Sequence, residues 1–344
     1  MSVGIVGLGL IGGSIALGLR DKTEVIGVDL DSQTRKIAQE KNICHIVTED
    51  LSLLKETDVV FVAVPLDSVE TVVKQLSHFP CVVADVGSLK YELSVELNDV
   101  ANYIGTHPMA GREKGGISAA SGVLFENALW VVDSTKDEAL IARVTPYIEA
   151  LGAYTFLLDP KTHDHMVGAV SHLPHLVAVA LTLAVKRISQ DDDRYFLMAA
   201  GGFRDTTRIA SGDPYLWNQI LTKSPYLKEA ATVFSEVFSE LAQVEDLTYL
   251  LNEACLAREK LPYRGKGVIG EVFSLVIEVV DRPGAIGEIT SILAKEHINI
   301  KEIEILRQRE GESGPLRLGF ATSNKALEAL ELLEQQGYKV QARW

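Results

Sequence analysis

The sequence predicts an α/β protein in three parts: a parallel α/β domain, an all-α domain and a small domain of the ferredoxin-like split βαβ type. Three observations support this prediction. Short β-rich runs alternate with helical patterns over residues 1–158, such runs vanish over 159–261, and residues 271–344 restart as strand, helix, strand, strand, helix, strand. A chain of 344 residues with 47% hydrophobic content can form two or three such cores.

Seven β-rich runs define the first domain: SVGIV, EVIGV, VVFVAV, CVVADV, NYIGT, ALWVVD and AYTFLL. Helical patterns separate these runs, for example at residues 32–40 and 136–151. This alternation predicts parallel βαβ units with helices on both faces of the sheet. Ligands of such sheets bind at the carboxyl ends of the strands, so the loops that follow the strands are the first places to search for a site.

The remaining chain contains helices, a linker and a second αβ region. Apolar residues at helical spacing over 163–188 and 225–259 predict long helices. The stretch LPYRGKGVIGE contains one proline and three glycines, and we interpret residues 262–270 as a linker. In the last domain, helices are predicted at 285–296 and 324–336 between four strands.

Composition restricts the partners of the chain. A formal net charge of −14 argues against nucleic acid and favours a small-molecule partner. Cys44, Cys81 and Cys255 are too widely separated for a disulfide framework or a zinc site, and they fit a reducing cytoplasm. The N-terminus lacks a basic targeting region, and no window reaches the roughly 18 to 20 uninterrupted apolar residues of a membrane span. We therefore expect a cytoplasmic protein without a bound metal.

A glycine motif follows the first strand. Gly7, Gly9 and Gly12 form the G-x-G-x-x-G pattern, in which the glycines allow a tight turn, close approach of a pyrophosphate and close helix–strand packing. The second strand ends at Asp29, which is placed to accept hydrogen bonds from a ribose and to repel a 2′-phosphate. The motif predicts NAD binding, with Asp31 as the alternative acidic residue.

Two later loops contain candidate chemical residues. Ser88 follows the strand CVVAD, although a serine ahead of a helix is also a typical N-cap. His107 ends the strand NYIGT and is held in extended backbone by Pro108. Histidine takes up a proton near neutral pH, which the oxidation of an alcohol requires.

The helical domain offers a histidine pair and an arginine cluster. His172 and His175 in SHLPH are spaced to share a helix face, but no further ligand indicates a metal site, and buried structural histidines are common. The segment GGFRDTTRIASGDPYLW supplies Arg204, Asp205 and Arg208. Its guanidinium groups suit a carboxylate substrate, while a surface Arg–Asp network is the alternative.

Taken together, these motifs resemble those of the prephenate and arogenate dehydrogenases of tyrosine biosynthesis. GLGLIGGS, DVGSLK, THPMAG with Glu113 shortly after it, SHLPH and GFRDTTRIASGDPYLW occur in the order typical of that family. The segment DRPGAIGEITSILAKEHINIKEIEI resembles the start of an ACT domain, a small module that senses amino acids. The resemblance covers essentially the whole chain and implies a Rossmann-type domain, a helical dimerisation and substrate domain, and a C-terminal ACT domain.

The resemblance also implies roles for individual residues. NAD would accept hydride from C4 of prephenate while His107 draws off the hydroxyl proton, with Ser88 orienting the histidine and the nicotinamide. Arg208 would bind a substrate carboxylate, assisted by His172 or His175. The implied substrate contacts are Arg208, His172, His175, Glu113, Asp205 and Trp217. The implied cofactor contacts are Gly7, Gly9, Leu10, Ile11, Gly12, Asp29, Val64, Pro65 and Ser88.

The resemblance also predicts a regulatory ligand, an oligomeric state and a substrate, with an alternative for the ligand and for the substrate. In the ACT domain, Asp281, Gly284 and Asn299 mark the expected effector site, with L-tyrosine as the natural feedback ligand and assembly alone as the alternative. The family implies a homodimer. The expected reaction is the oxidative decarboxylation of prephenate to 4-hydroxyphenylpyruvate. The alternatives are an arogenate dehydrogenase and a catalytically inactive sensor of dinucleotides and amino acids.

Overall fold

Two units make up the chain, Met1–Val268 and Ile269–Trp344, and each is described by itself. The computed structural model describes residues 2–112, 114–259, 261, 273–280, 282–305, 314–320 and 322–343. Glu113, Asp281 and the predicted linker 262–270 lie outside the described residues.

A sheet in the order β3-β2-β1-β4-β5-β6-β7-β8 forms the first part of the N-terminal unit. All neighbouring strands are parallel except β6 and β7, which are antiparallel. The sequence patterns missed only β3. The strands are β1 Ser2–Val6, β2 Glu24–Val28, β3 Ile46–Thr48, β4 Val59–Val62, β5 Val82–Asp85, β6 Tyr103–Pro108, β7 Leu129–Asp133 and β8 Tyr154–Leu158.

Helices cover both faces of this sheet and bury two apolar cores. In β4, Val59 and Phe61 belong to one core while Val60 and Val62 belong to the other, because successive side chains of a strand point to opposite faces. The α/β prediction for this domain is confirmed. The helices are α1 Leu10–Leu19, α2 Ser32–Glu40, α3 Leu66–Leu76, α4 Tyr91–Glu96 and α5 Glu138–Ala150. Short 3-10 helices lie at Leu51–Glu56 and Ile117–Ala119.

The turn between β1 and α1 requires two of its glycines. Gly7 has φ +90°, a backbone conformation that favours glycine, and its N–H donates to the Val28 carbonyl at 2.8 Å. A Cβ on Gly12 would lie 1.9 Å from the Gly7 carbonyl oxygen. A Cβ on Gly9 would meet no atom within 4 Å. The helix therefore packs tightly on the strand while its N-terminus stays open.

The second part of the N-terminal unit is helical, as predicted. The long helix expected over 163–188 is interrupted by a π-helical turn at Gly168–His172, just ahead of Pro174, which has no N–H to donate. The helix expected over 225–259 is broken after Gln243. The helices are α6 Pro160–Val167, α7 Leu173–Ser189, α8 Arg194–Leu197, α9 Gly201–Thr207, α10 Pro214–Lys223, α11 Leu227–Gln243 and α12 Thr248–Glu259, with a 3-10 turn at Arg208–Ser211.

The helical run Pro160–Ser189 is long and apolar enough to qualify as a membrane span, with a mean hydropathy of 1.6 over its best window. The core helices of many soluble proteins are equally long and apolar, so length and composition alone do not make this run a membrane span.

The C-terminal unit has the predicted βαββαβ order and an antiparallel sheet in the order β10-β11-β9-β12. Its two helices enclose a core with the sheet. Gly284 precedes the first helix with φ +89°, and Asn299 is exposed. The elements are β9 Phe273–Val279, α13 Ala285–Lys295, β10 Glu302–Ile305, β11 Gly314–Phe320, α14 Ser323–Gln335 and β12 Val340–Arg343.

Gly12 and Gly9 predict different effects of an added methyl group on stability. We expect Gly12→Ala to lower the free energy of unfolding by roughly 1–3 kcal/mol, because the helix must move off the strand. We expect Gly9→Ala to leave it unchanged, since its Cβ has open space. Urea denaturation measures both values, and equal stability of the two variants would contradict the close packing.

Candidate active site

The N-terminus of α1 is open at the carboxyl edge of the sheet. Gly9 is its N-cap residue, no side chain caps the helix, and its first turn contains no acidic residue. Asp29 at the end of β2 accepts hydrogen bonds from the N–H groups of Leu8 at 2.7 Å and Asp31 at 2.9 Å. An uncapped helix N-terminus beside an acidic strand end fits the pyrophosphate and ribose of a dinucleotide.

Of the two acidic candidates, Asp31 already caps a helix. Its carboxylate accepts hydrogen bonds from the N–H groups of Gln33 and Thr34 at the start of α2. The hydrogen bond from the Thr34 hydroxyl is the largest cause that lowers the pKa of Asp31 below its ordinary value. Asp29 is therefore the better candidate for a ribose contact.

Further predicted cofactor residues surround the same turn. Val64, just after β4, places a methyl group 3.1 Å from the position of a Cβ on Gly7. Pro65 is the N-cap residue of α3, and Leu10 and Ile11 form the first turn of α1. The structure thus brings these residues together at the ends of β1 and β4. These two strands are neighbours, and the order of the strands runs outward from them in opposite directions, which is where sheets of this type bind their ligands.

His107, near the end of β6, belongs to a chain of three side chains. Its Nδ1 lies 2.9 Å from Nε2 of His163, and Nδ1 of His163 lies 2.7 Å from Oδ1 of Asp164. His163 and Asp164 are buried on α6, whereas His107 is half-buried. The helical part of this unit thus contacts the candidate base directly.

Asp164 also caps α4. Its two oxygens accept the N–H groups of Lys90 and Tyr91, each at 2.9 Å. Lys90 is the N-cap residue of this helix, but its side chain makes no capping hydrogen bond. The alternative interpretation of Ser88 as the N-cap is therefore wrong, because a carboxylate from another element satisfies these N–H groups. Ser88 is half-buried in the loop before the helix.

A buried ion pair lies beside this chain. The Lys90 ammonium pairs with the carboxylate of Asp85, and both side chains are almost fully buried. Asp85 also accepts hydrogen bonds from the Tyr103 hydroxyl and the Gly87 N–H, each at 2.8 Å. The pairing with Asp85 therefore compensates the positive charge of Lys90 within the fold.

This environment lowers the pKa of His107 well below its ordinary value. Burial is the main cause, and the neighbouring groups His163, Lys90 and His172 lower it further. His107 is therefore neutral near pH 7, with one ring nitrogen able to accept a proton.

The two histidines of SHLPH are both buried and face different partners. Nδ1 of His172 lies 2.8 Å from the Ser224 hydroxyl. The ring of His175 stacks on Trp217 with 3.5 Å between centroids, and its Nδ1 has no hydrogen-bond partner within the described part of the chain. A buried polar atom without a partner is a candidate for binding a ligand.

The arginine cluster lies nearby on the helical part. Arg208 begins the 3-10 turn Arg208–Ser211, which packs against α7, the helix of His175. Arg204 and Asp205 are exposed on α9. The turn that begins at Arg208 therefore packs against the helix that contains the buried His175.

The sequence patterns missed His163, Asp164, Lys90, Asp85 and Tyr103. A charged residue at the end of an apolar strand, as in CVVAD, is a signal for Asp85. The triplet His-Asp-His on α6 is a signal for the other buried pair, but spacing alone does not show that it reaches His107.

Comparison with known proteins places the chain in a family. The model of the prephenate dehydrogenase nucleotide-binding domain matches residues 15–157, that of its dimerisation domain matches 159–248, and that of the ACT domain matches 267–331. Prephenate dehydrogenase of Bacillus subtilis is 32% identical over 96% of this chain and 95% of its own length. The chain belongs to the prephenate dehydrogenase family. The predicted family, the oxidoreductase class and the three-part fold are thereby confirmed.

Solved structures agree with this assignment. Prephenate dehydrogenase from Aquifex aeolicus, in complex with hydroxyphenyl propionate and NAD+, has a TM-score of 0.70 at 28% identity and covers 76% of this chain and 98% of its own. Arogenate dehydrogenase from Synechocystis has a TM-score of 0.66 at 31% identity and covers 76% of this chain and 100% of its own. Solved structures of both names therefore share the fold of about three quarters of this chain.

The buried state of His172 predicts a pH-dependent stability. Burial lowers its pKa from 6.5 to about 4 in the folded protein. The unfolded chain then binds this proton more readily, so the free energy of unfolding falls as the pH drops from 6.5 toward 4. We expect His172→Asn, which can keep the bond to Ser224, to show a shallower fall in urea denaturation at pH 7, 6 and 5. An identical slope in both proteins would contradict the shifted pKa.

Proposed function

We propose that this protein oxidises and decarboxylates prephenate to 4-hydroxyphenylpyruvate with NAD as the oxidant. The observation that supports this proposal best is the half-buried, neutral His107 at the end of β6, near the predicted nicotinamide end of an open dinucleotide turn. Membership of the family supports the reaction class. The NAD+ complex of the Aquifex aeolicus enzyme supports the cofactor.

The residues of the turn fit NAD. The open space at Gly9 accommodates a pyrophosphate against the N-terminus of α1, and Asp29 would accept the ribose hydroxyls and repel a 2′-phosphate. Val64, Pro65 and Ser88 would border the nicotinamide. When bound, NAD supplies the acceptor for the hydride that leaves C4 of the substrate ring.

His107 would act as the base of the reaction. As hydride leaves C4, the O–H bond of the C4 hydroxyl breaks and its proton passes to the ring nitrogen of His107 that His163 does not occupy. Ser88 would orient the histidine and the nicotinamide. The C4 ketone then draws the electron pair of the C1–carboxylate bond into the ring, carbon dioxide departs, and the ring becomes aromatic.

The helical part would bind the substrate carboxylates. Arg208 supplies a guanidinium for a charge-assisted hydrogen bond, and the open Nδ1 of His175 favours this histidine over His172, whose Nδ1 faces Ser224. Trp217, stacked on His175, would form a wall of the site. Glu113 and Asp205 would control access, as the family resemblance implies.

We propose that residues 1–158, 159–261 and 271–344 are the functional domains and that the protein works as a cytoplasmic homodimer. In support, α11 exposes an apolar stripe at helical spacing, and a second copy would bury it. The stripe consists of Val233, Phe234, Val237, Phe238 and Leu241.

Arogenate dehydrogenase activity is the second candidate, and the similar Synechocystis protein bears that name. Its substrate has an amino group where prephenate has a keto group. The Bacillus subtilis relative, which matches 96% of this chain, is named prephenate dehydrogenase, and this favours prephenate. The third candidate is a catalytically inactive sensor of dinucleotides and amino acids.

The function is tested by turnover assays of the wild type and of His107→Asn. We expect the wild type to reduce NAD in the presence of prephenate, and the variant to lose roughly 10²–10⁴-fold in kcat because it lacks a base. Circular dichroism checks that the variant is folded. A wild type that turns over neither substrate, or a variant as active as the wild type, would refute the proposed mechanism.

The same assay, run on arogenate and with NADP, separates the alternatives. Preference for arogenate would replace the proposed substrate, and preference for NADP would contradict the role of Asp29.

We further propose that the ACT domain binds L-tyrosine as a feedback inhibitor at Asp281, Gly284 and Asn299. Gly284 and the exposed Asn299 leave room for a ligand. We expect calorimetry on the full chain to detect tyrosine binding, and Asn299→Ala to weaken it while basal turnover stays unchanged. No heat of binding and no effect of tyrosine on the rate would leave assembly as the role of this domain.

A further inference from the structure

Two buried residues connect the candidate base to the start of a helix. His163 and Asp164 are each 1% exposed and follow one another on α6. One bonds to His107 and the other to the N–H groups that open α4. Their arrangement determines which nitrogen of His107 carries a proton.

Asp164 accepts hydrogen bonds on both of its oxygens. Its oxygens accept the N–H groups of Lys90 and Tyr91 as well as the contact from His163, and hydrogen bonds of this kind stabilise a carboxylate. An ionised carboxylate only accepts hydrogen bonds. Nδ1 of His163 must therefore be the donor in its 2.7 Å contact with Asp164.

The proton positions of both histidines follow from this donor. A neutral His163 with a proton on Nδ1 has only a lone pair on Nε2. The 2.9 Å contact between this Nε2 and Nδ1 of His107 then requires a proton on Nδ1 of His107. The lone pair of His107 is then on Nε2, the ring nitrogen that does not contact His163.

We propose that Asp164 and His163 are positioning residues that hold His107 in the tautomer with an unprotonated Nε2, ready to accept the substrate hydroxyl proton. This inference rests on the proposed dehydrogenase function. When the O–H bond breaks and the Nε2–H bond forms, the positive charge on His107 is shared with His163 and compensated by the Asp164 carboxylate. A carboxylate acts on a histidine base in the same way in Ser-His-Asp triads.

The surrounding charges explain why such support is needed. His163, Lys90 and His172 all lower the pKa of His107, and burial lowers it more than any of them. The charge of Lys90 is paired with Asp85, and Asp164 acts in the opposite direction, raising the pKa of the neighbouring His172. Asp164 is thus the negative group that offsets the cost of a proton on this histidine cluster.

The test compares pH profiles of Asp164→Asn, His163→Gln and the wild type with prephenate and NAD. We expect Asp164→Asn to lower kcat by about a hundredfold, the lower end of what a general base contributes. KM should change little. The acid limb of the profile of kcat against pH should move to lower pH, because His107 becomes less basic. His163→Gln keeps an acceptor for His107 without the link to Asp164, so its kcat should fall less while the limb moves in the same direction.

His165→Gln is the matched control, because this exposed histidine lies on the same helix and contacts the ring of Tyr226 instead. It should behave as the wild type. A lower kcat with an unchanged acid limb in both test variants would reduce the pair to a structural role and overturn the proposal, as would an unchanged kcat.

Nitrogen-15 NMR of histidine-labelled protein tests the tautomer without turnover, with the His107 signals assigned by their loss in His107→Asn. A proton on Nδ1 of His107 that is lost from this nitrogen in Asp164→Asn supports the proposal. A proton on Nε2 in the wild type overturns it, even if the enzyme is active. An inactive wild type with the expected tautomer would refute the proposed function and leave the positioning pair supported.

Discussion

The carboxylate of Asp164 is the contact on which the geometry of the candidate site depends. It lies on the first helix after the sheet, and it satisfies two N–H groups at the start of α4 and one nitrogen of His163. Buried backbone N–H groups without partners cost about 1–3 kcal/mol each. The helical part must therefore sit where Asp164 reaches them, and that position brings His163 onto His107.

Burial gives the site its electrostatic character. Lys90 and Asp85 are removed from water together, and the Tyr103 hydroxyl adds a donor to the carboxylate. Such a pair adds little to stability, but it keeps a strong charge at a fixed position. With the charge of Lys90 compensated, desolvation dominates the pKa of His107 and keeps the ring neutral at physiological pH. A neutral ring is what proton acceptance requires.

The two ligand regions arise from different features of the fold. The dinucleotide turn depends on local chemistry, since Gly7 needs its positive φ and Gly12 needs its missing Cβ within a few residues of each other. The proposed substrate region depends on tertiary packing, because the turn at Arg208 contacts α7 only after the helical part has folded. The open Nδ1 of His175 and its stacking on Trp217 exist only in the folded protein.

The sequence by itself determined the three-part fold and the dinucleotide turn, because periodicity, glycine spacing and strand–helix alternation are local properties. It also predicted a base at the strand end of His107. It missed β3, which is only three residues long, and the π turn ahead of Pro174. It also gave Ser88 as a possible helix cap. Only the tertiary structure decided that Asp164 caps α4 and that His163 contacts His107, because these partners lie 56 to 74 residues apart and spacing along the chain holds no record of their contact.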